Sequence, residues 1–317
     1  MTPDPSAPRR PVTGLVAAVF TPMDAEGAVD LGAIPRVLAH VLGQGADGIF
    51  VCGSTGEAPS LTVGERRAVA EAYVAARDEG GHDAAVVVHV GHNSVEEAAA
   101  LAAHAESIGA DAIGVVPPSY FPPPDLDGLV ACLQRVAGAA PRTPLFYYHI
   151  PRLSRVGTRM ADLLARAPEA LPTLAGIKFS SFEFDDLLRC VHAEGGRYRI
   201  LFGSDEMLLA GLSMGAVGAV GSTYNFMGRR YRAVIDAFEA GRMEEAQRHQ
   251  LAATKRVHAI LEEGGANAIK AAMAVLGEDC GPPRLPLVPL GSDSIDRLRA
   301  SLARLDEEEG AAPCWGR

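Results

Sequence analysis

Eight times along the chain, a short uninterrupted apolar run gives way to a turn rich in Gly, Pro, Ser or Thr and then to a helical pattern. The runs cover 14–20, 48–52, 84–90, 112–116, 145–150, 174–179, 198–202 and 216–220. Strands that are continuously apolar, with no alternation, belong in a parallel sheet covered on both faces. Alternating strands and helices permit an open doubly wound sheet or a closed barrel. Eight units, with no GxGxxG opening a helix after the first run, favour closure into a (β/α)8 TIM barrel.

Helix starts are marked between the runs. Thr62 with Glu65 and Ser94 with Glu97 read as capping boxes, in which hydroxyl and carboxylate satisfy otherwise unpaired amides. After Asp30, the residues Ile34, Val37, Leu38, Val41 and Leu42 fall at helical spacing, and Pro35 makes that helix start late or kink. Beyond Asn225 the strand signal ends, and helical stretches follow near 230–240, 244–263, 267–276 and 294–305. The first closes the barrel and the others form a C-terminal helical appendage. The expected division is a disordered segment 1–11, a barrel 12–240, a helical region 241–306 and a flexible tail 307–317 with the lone Trp315.

With 317 residues, 48% hydrophobic and 21% charged, the chain has the balance of a soluble globular protein with a substantial core. A net charge of −10 argues against a general nucleic-acid or anionic-membrane binder but leaves room for an anionic small molecule in a pocket. No run approaches the roughly 20 apolar residues of a membrane span, and the start lacks a signal-peptide apolar stretch. Cys52, Cys132, Cys190, Cys280 and Cys314 are scattered without a CxxC pair, which fits a reduced, cytoplasmic setting.

In a barrel of this type, chemistry sits at the C-terminal ends of the strands. There stand Gly53-Ser54-Thr55-Gly56-Glu57, Tyr147-Tyr148-His149-Ile150-Pro151, Gly176-Ile177-Lys178-Phe179-Ser180, Gly203-Ser204-Asp205-Glu206 and Gly221-Ser222-Thr223-Tyr224-Asn225. Lys178 is the anomaly, because an ammonium within an apolar strand is costly unless paired or shifted toward the neutral amine, a nucleophile for ketones. A lysine snorkelling to solvent or buried in an ion pair is the plainer alternative. Tyr148 ends the preceding strand and is placed to move protons for a substrate on Lys178, or else is a core aromatic. Ser54 and Thr55, with nearby amides, suit a carboxylate. Asp205 and Glu206 suit sugar hydroxyls, or simply begin a helix. His89, His92 and His149 have no carboxylate or cysteine at ligand spacing, so no metal is expected. Arg229, Arg230 and Arg232 read as a solvated helix face.

Taken in order, GSTGE, YYHIP, GIKFS and GSTYN resemble the dihydrodipicolinate synthase and N-acetylneuraminate lyase superfamily over 12–276, closest to its lyase branch. The resemblance implies a Schiff base on Lys178, Tyr148 as acid/base, and Ser54 and Thr55 on the carboxylate of a 2-keto acid. It places Ser180 toward the sugar and Gly203, Asp205, Glu206 and Ser222 along its polyol chain. Tyr120, in Pro117-Pro118-Ser119-Tyr120-Phe121, matches a tyrosine inserted into a neighbouring subunit's site, which implies a homotetramer built from dimers. The implied reaction is reversible cleavage of N-acetylneuraminate to pyruvate and N-acetylmannosamine, without metal or organic cofactor. Ser54 and Leu153 stand where synthases usually carry a threonine and a carboxylate-binding arginine, which favours the lyase branch. Arg152, Arg155 and Ala58 depart from the lyase pattern, Arg155 replacing a usual glycine. The alternatives are a synthase using aspartate semialdehyde, an aldolase or dehydratase of another 2-keto sugar acid, and a non-enzymatic ligand-binding barrel.

Overall fold

A computed structural model describes residues 9–309. The strands are β1 (Gly14–Ala18), β2 (Gly48–Val51), β3 (Ala85–His89), β4 (Ala112–Val115), β5 (Leu145–His149), β6 (Leu174–Phe179), β7 (Arg199–Phe202) and β8 (Gly218–Gly221). They pair in chain order, all parallel, and β8 returns to β1 to close the barrel. Continuous apolar runs are required because each strand is covered twice. Val16, Phe50, Val87, Phe146 and Leu201 fill the barrel interior. Their neighbours along each strand, such as Leu15, Ile49, Val86, Tyr147 and Ile200, pack outward against the helices.

The helical layer comprises α1 (Ile34–Gly43), α2 (Val63–Glu79), α3 (Val95–Ser107), α4 (Leu126–Ala139), a single turn α5 (Pro151–Ser154), α6 (Met160–Ala170), α7 (Phe184–His192), α8 (Leu208–Ser213) and α9 (Tyr224–Glu239). Pro35 lies in the first turn of α1, where it breaks no hydrogen bond; a short 3-10 turn capped by Asp30 precedes it, so the helix starts late and does not kink. Thr62 and Glu65 form the full reciprocal cap of α2. At Ser94 only the forward half forms, because the Ser94 amide donates to His92 Nδ1 at 2.9 Å.

After α9 come α10 (Met243–Glu262), α11 (Ala266–Val275) and α12 (Ser292–Glu308). The last helix reaches into the stretch expected to be a loose tail. Asp306 explains why: it is buried and meets Arg256 Nη2 at 2.5 Å and Arg230 Nη2 at 3.2 Å. At the other end Arg10, expected within a disordered leader, donates its amide to Asp111 Oδ1 at 2.9 Å and its Nε to Asp83 Oδ1 at 3.0 Å. The remaining expectations for the ends, Trp315 and Cys314 included, fall outside the described residues.

Candidate active site

Parallel pairing sets Tyr148 on β5 directly beside Lys178 on β6. Both point into the barrel, each 5% exposed, and the lysine Nζ lies 3.8 Å from the centroid of the Tyr148 ring and 4.5 Å from that of Phe50. The ammonium thus rests on two aromatic faces, an arrangement that offsets part of its desolvation without a carboxylate. Burial is the largest single influence on the Tyr148 phenol and pushes its pKa up. The Lys178 charge and hydrogen bonding from Ser54, Lys178 and Ser180 together outweigh burial and hold it below its ordinary value. The Ser180 contact is loose, since its buried Oγ has no partner at full hydrogen-bonding geometry.

Ser180 follows β6 and packs against Gly203, which follows β7; a Cβ on Gly203 would stand 2.0 Å from the Ser180 hydroxyl oxygen, so a larger residue there would displace that hydroxyl. Thr55 and Ser222 meet across the mouth, Oγ1 to Oγ at 2.6 Å, which joins the loop after β2 to the loop after β8. Ser54 is exposed, Thr55 partly so, and both stand on the segment that starts at Cys52, a non-glycine residue at φ 55°.

Asp205 is placed at the site but is already engaged. Its Oδ2 accepts from the Thr223 amide at 2.8 Å and the Thr223 hydroxyl at 2.6 Å, while its Oδ1 occupies the space a Cβ on Gly221 would need. Burial raises its pKa against those two hydrogen bonds. The neighbouring Glu206 is only partly buried. Tyr120 is not brought to Lys178 within this chain. It stands 73% exposed, edge-to-face on the 82% exposed Phe121, and its loop is held by Asn93 Oδ1, which accepts from the amides of Ser119 and Tyr120, both at 3.0 Å. Arg155 donates from Nη2 to the carbonyls of Ser119 and Tyr120 as well, which ties its guanidinium to this loop.

The histidines part company. His89 ends β3 facing inward, 5.9 Å from Phe50 and 6.1 Å from Tyr148 between ring centroids. By contrast His149 faces the helical layer, its ring centroid 5.0 Å from Phe179, and burial lowers its pKa to about 4. Several groups that build the mouth were not singled out by sequence. Phe50 supplies a face for the lysine. Glu57, at φ 57°, is buried and pairs with Lys270 Nζ at 2.8 Å while accepting the Arg284 amide at 2.7 Å. Arg284 in turn grips Glu65 with two nitrogens, each at 2.9 Å. The one sequence signal for Glu57 is a carboxylate immediately after a Gly-rich turn.

A profile of the dihydrodipicolinate synthetase family matches residues 11–305. The chain is 40% identical over 305 residues to the N-acetylneuraminate lyase of Sus scrofa, spanning 95% of each. To that of Gallus gallus it is 38% identical over 307 residues, 96% of this chain and 99% of the other. Among solved structures, the Proteus mirabilis N-acetylneuraminate lyase superposes with a TM-score of 0.88 at 34% identity, covering 93% of this chain and 99% of that one. On its sequence, its barrel and the placement of the lysine and tyrosine inside it, the chain belongs to the dihydrodipicolinate synthetase family, on its N-acetylneuraminate lyase branch.

Proposed function

We propose that this protein is a Schiff-base lyase that reversibly cleaves N-acetylneuraminate to pyruvate and N-acetylmannosamine. The observation that carries the reading is the Lys178 Nζ lying 3.8 Å from the Tyr148 ring centroid, in strand register, inside the barrel mouth. In the cleavage direction Ser54 and Thr55 hold the carboxylate of the open-chain substrate. Lys178, once its ammonium has given up a proton to water, adds to the C2 ketone as the neutral amine, and loss of water gives an iminium. Tyr148 takes the C4 hydroxyl proton, the C3–C4 bond breaks, and its electron pair flows into the iminium to give an enamine. The aldehyde departs, the enamine carbon is protonated, and water releases pyruvate and the free amine. The iminium is the electron sink, so the step calls for no metal or organic cofactor.

Ser180, Gly203, Glu206 and Ser222 line the polyol end, and Asp205 shapes that end while its Oδ2 stays bonded to Thr223. Leu153, 53% exposed, stands where a synthase usually carries its carboxylate-binding arginine, and Arg155 is tied to the Tyr120 loop, so neither position offers that guanidinium to an acidic aldehyde. That favours a neutral sugar over aspartate semialdehyde. Tyr120 and Phe121 project from the chain as an anchored aromatic pair, which suits insertion into a neighbouring copy of a homotetramer. Borohydride reduction in the presence of pyruvate is expected to leave a covalent adduct on Lys178 that is missing from Lys178→Ala; absence of the adduct in the unaltered protein would defeat the reading. With a panel of aldehydes, N-acetylmannosamine is expected to consume pyruvate fastest, and preference for aspartate semialdehyde would move the protein to the synthase branch.

A further inference from the structure

Arg66, on the first turn of α2, is 3% exposed, yet among the described residues its guanidinium meets no carboxylate. Other buried cations behave differently. Arg77 pairs with Asp111 at 2.6 Å, Arg256 with Asp306 at 2.5 Å, and Lys270 with Glu57 at 2.8 Å. A buried charge without a counter-charge is expensive, and backbone carbonyls compensate it only in part. Arg66 has only these: Nη1 donates to Gly91 O at 3.0 Å and Nη2 to His89 O at 2.7 Å, while its buried Nε has no partner.

The charge sits close to the segment assigned to the substrate carboxylate. His89 Nδ1 lies 3.5 Å from the Arg66 fork and 2.9 Å from the Cys52 carbonyl. A carbonyl only accepts, so Nδ1 carries the proton and the neutral ring leaves Nε2 as an acceptor. Burial first, then the charges of Arg66 and Lys178, disfavour a second proton on that ring. Arg66 therefore holds the end of β3, His89 holds Cys52 in its left-handed conformation, and Gly53-Ser54-Thr55 leave from that residue. Lys178, the other buried cation that meets no carboxylate among the described residues, also acts on the His89 ring.

We propose that Arg66 is a positioning residue for the carboxylate of the 2-keto acid: its unneutralised guanidinium supplies positive potential behind the Ser54–Thr55 segment, and the bound anion is its missing counter-charge. The inference rests on the lyase reading of that segment and adds the source of its preference for an acid. Arg66 and His89 are both buried, so the charge is screened less than a surface charge at the same distance would be. The structure thus gives the site a way to discriminate a keto acid from an uncharged ketone, without direct contact between guanidinium and substrate.

The test compares pyruvate with its uncharged methyl ester, both trapped by borohydride on Lys178 in the full-length protein. The quantity read is the ratio of their half-saturating concentrations. Arg66→Gln and Arg66→Met are expected to weaken pyruvate by about tenfold or more while moving the ester by less than about twofold. Arg66→Lys, which keeps the charge, is expected to hold the ratio within about threefold of the unaltered protein. Equal weakening of both ketones would show a merely structural arginine and overturn the proposal, as would an unchanged ratio in a folded neutral variant. If neither neutral variant folds, collapse of the ratio in Arg66→Lys overturns it and retention supports it. Failure of the unaltered protein to trap pyruvate would instead strike the lyase reading, whereas trapping with an Arg66-independent ratio removes only this inference.

Discussion

The two sides of the barrel mouth are held in place by different means. Lys178 and Tyr148 sit on neighbouring strands, and the β5–β6 ladder that puts them side by side would form with many other side chains at these positions. The segment 52–57 has no such ladder. It carries two non-glycine residues in left-handed conformation, Cys52 and Glu57, each costing on the order of 1–2 kcal/mol. What keeps them there is a set of buried polar side chains: His89 on the Cys52 carbonyl and Lys270 on the Glu57 carboxylate. The reacting pair is secured by the fold itself, while the segment assigned to the carboxylate depends on a few charges that single substitutions can remove.

Tyr148→Phe tests the first half and carries the largest expected effect. Turnover should fall by about 10²–10⁴-fold, while pyruvate trapping on Lys178 and the thermal midpoint stay near those of the unaltered protein. The pH profile adds a sign. A phenol whose pKa is held below its ordinary value reaches the base form earlier as pH rises, so the rate of the step it assists should climb through that lowered pKa. Loss of this limb in Tyr148→Phe is the expected outcome; a large drop in stability would mean that the phenol, not the ladder, holds the pair together.

Lys270→Met tests the second half. It leaves Glu57 buried without its counter-charge and should cost about 3–5 kcal/mol, read as a lower urea midpoint. Pyruvate should also half-saturate at higher concentration, because Glu57 no longer fixes its end of the segment. Unchanged stability would show that the left-handed conformation is secured by something else.

The smallest effect concerns Glu65. Hydrogen bonding to Arg284 leads in holding its carboxyl down to about 2, against burial and with help from Thr62. A folded pKa below the ordinary 4.5 means that the contribution is complete above 4.5 and drains away as pH falls toward about 2. Glu65→Gln should therefore flatten the acid limb of stability in that window, and an unaltered limb would assign the limb to other carboxylates.

Much of this division can be read before the fold is known, for a definite reason. Strand-and-helix repeats are local, so each apolar run is visible by itself, and a lysine inside one stands out against its neighbours. Arg66 does not stand out. It follows Glu65 and precedes Arg67 on a helix whose pattern allows either arginine to face water, and only packing turns Arg66 inward while Arg67 stays half-buried. Asp205 was legible as an acid at a strand end, but its engagement by Thr223 depends on a contact formed by the next β/α unit. Glu309 fell in the expected loose tail because Arg256 and Arg230, which pair with it, lie on the α9–α10 hairpin far earlier in the chain. Tyr120 was legible only by resemblance: the structure adds its exposure and the Asn93 and Arg155 anchors, both remote in sequence.

The Lys270–Glu57 pair bears on how such a barrel can be cut and recombined. Topology alone invites a cut after α9, since all eight strands and their connecting helices would remain. A fragment ended there would keep the anion and discard its cation, leaving a carboxylate without its counter-charge at the rim where the substrate is expected to enter. Chimeras of these barrels should therefore exchange α11 together with the turn after β2, as a single heritable unit.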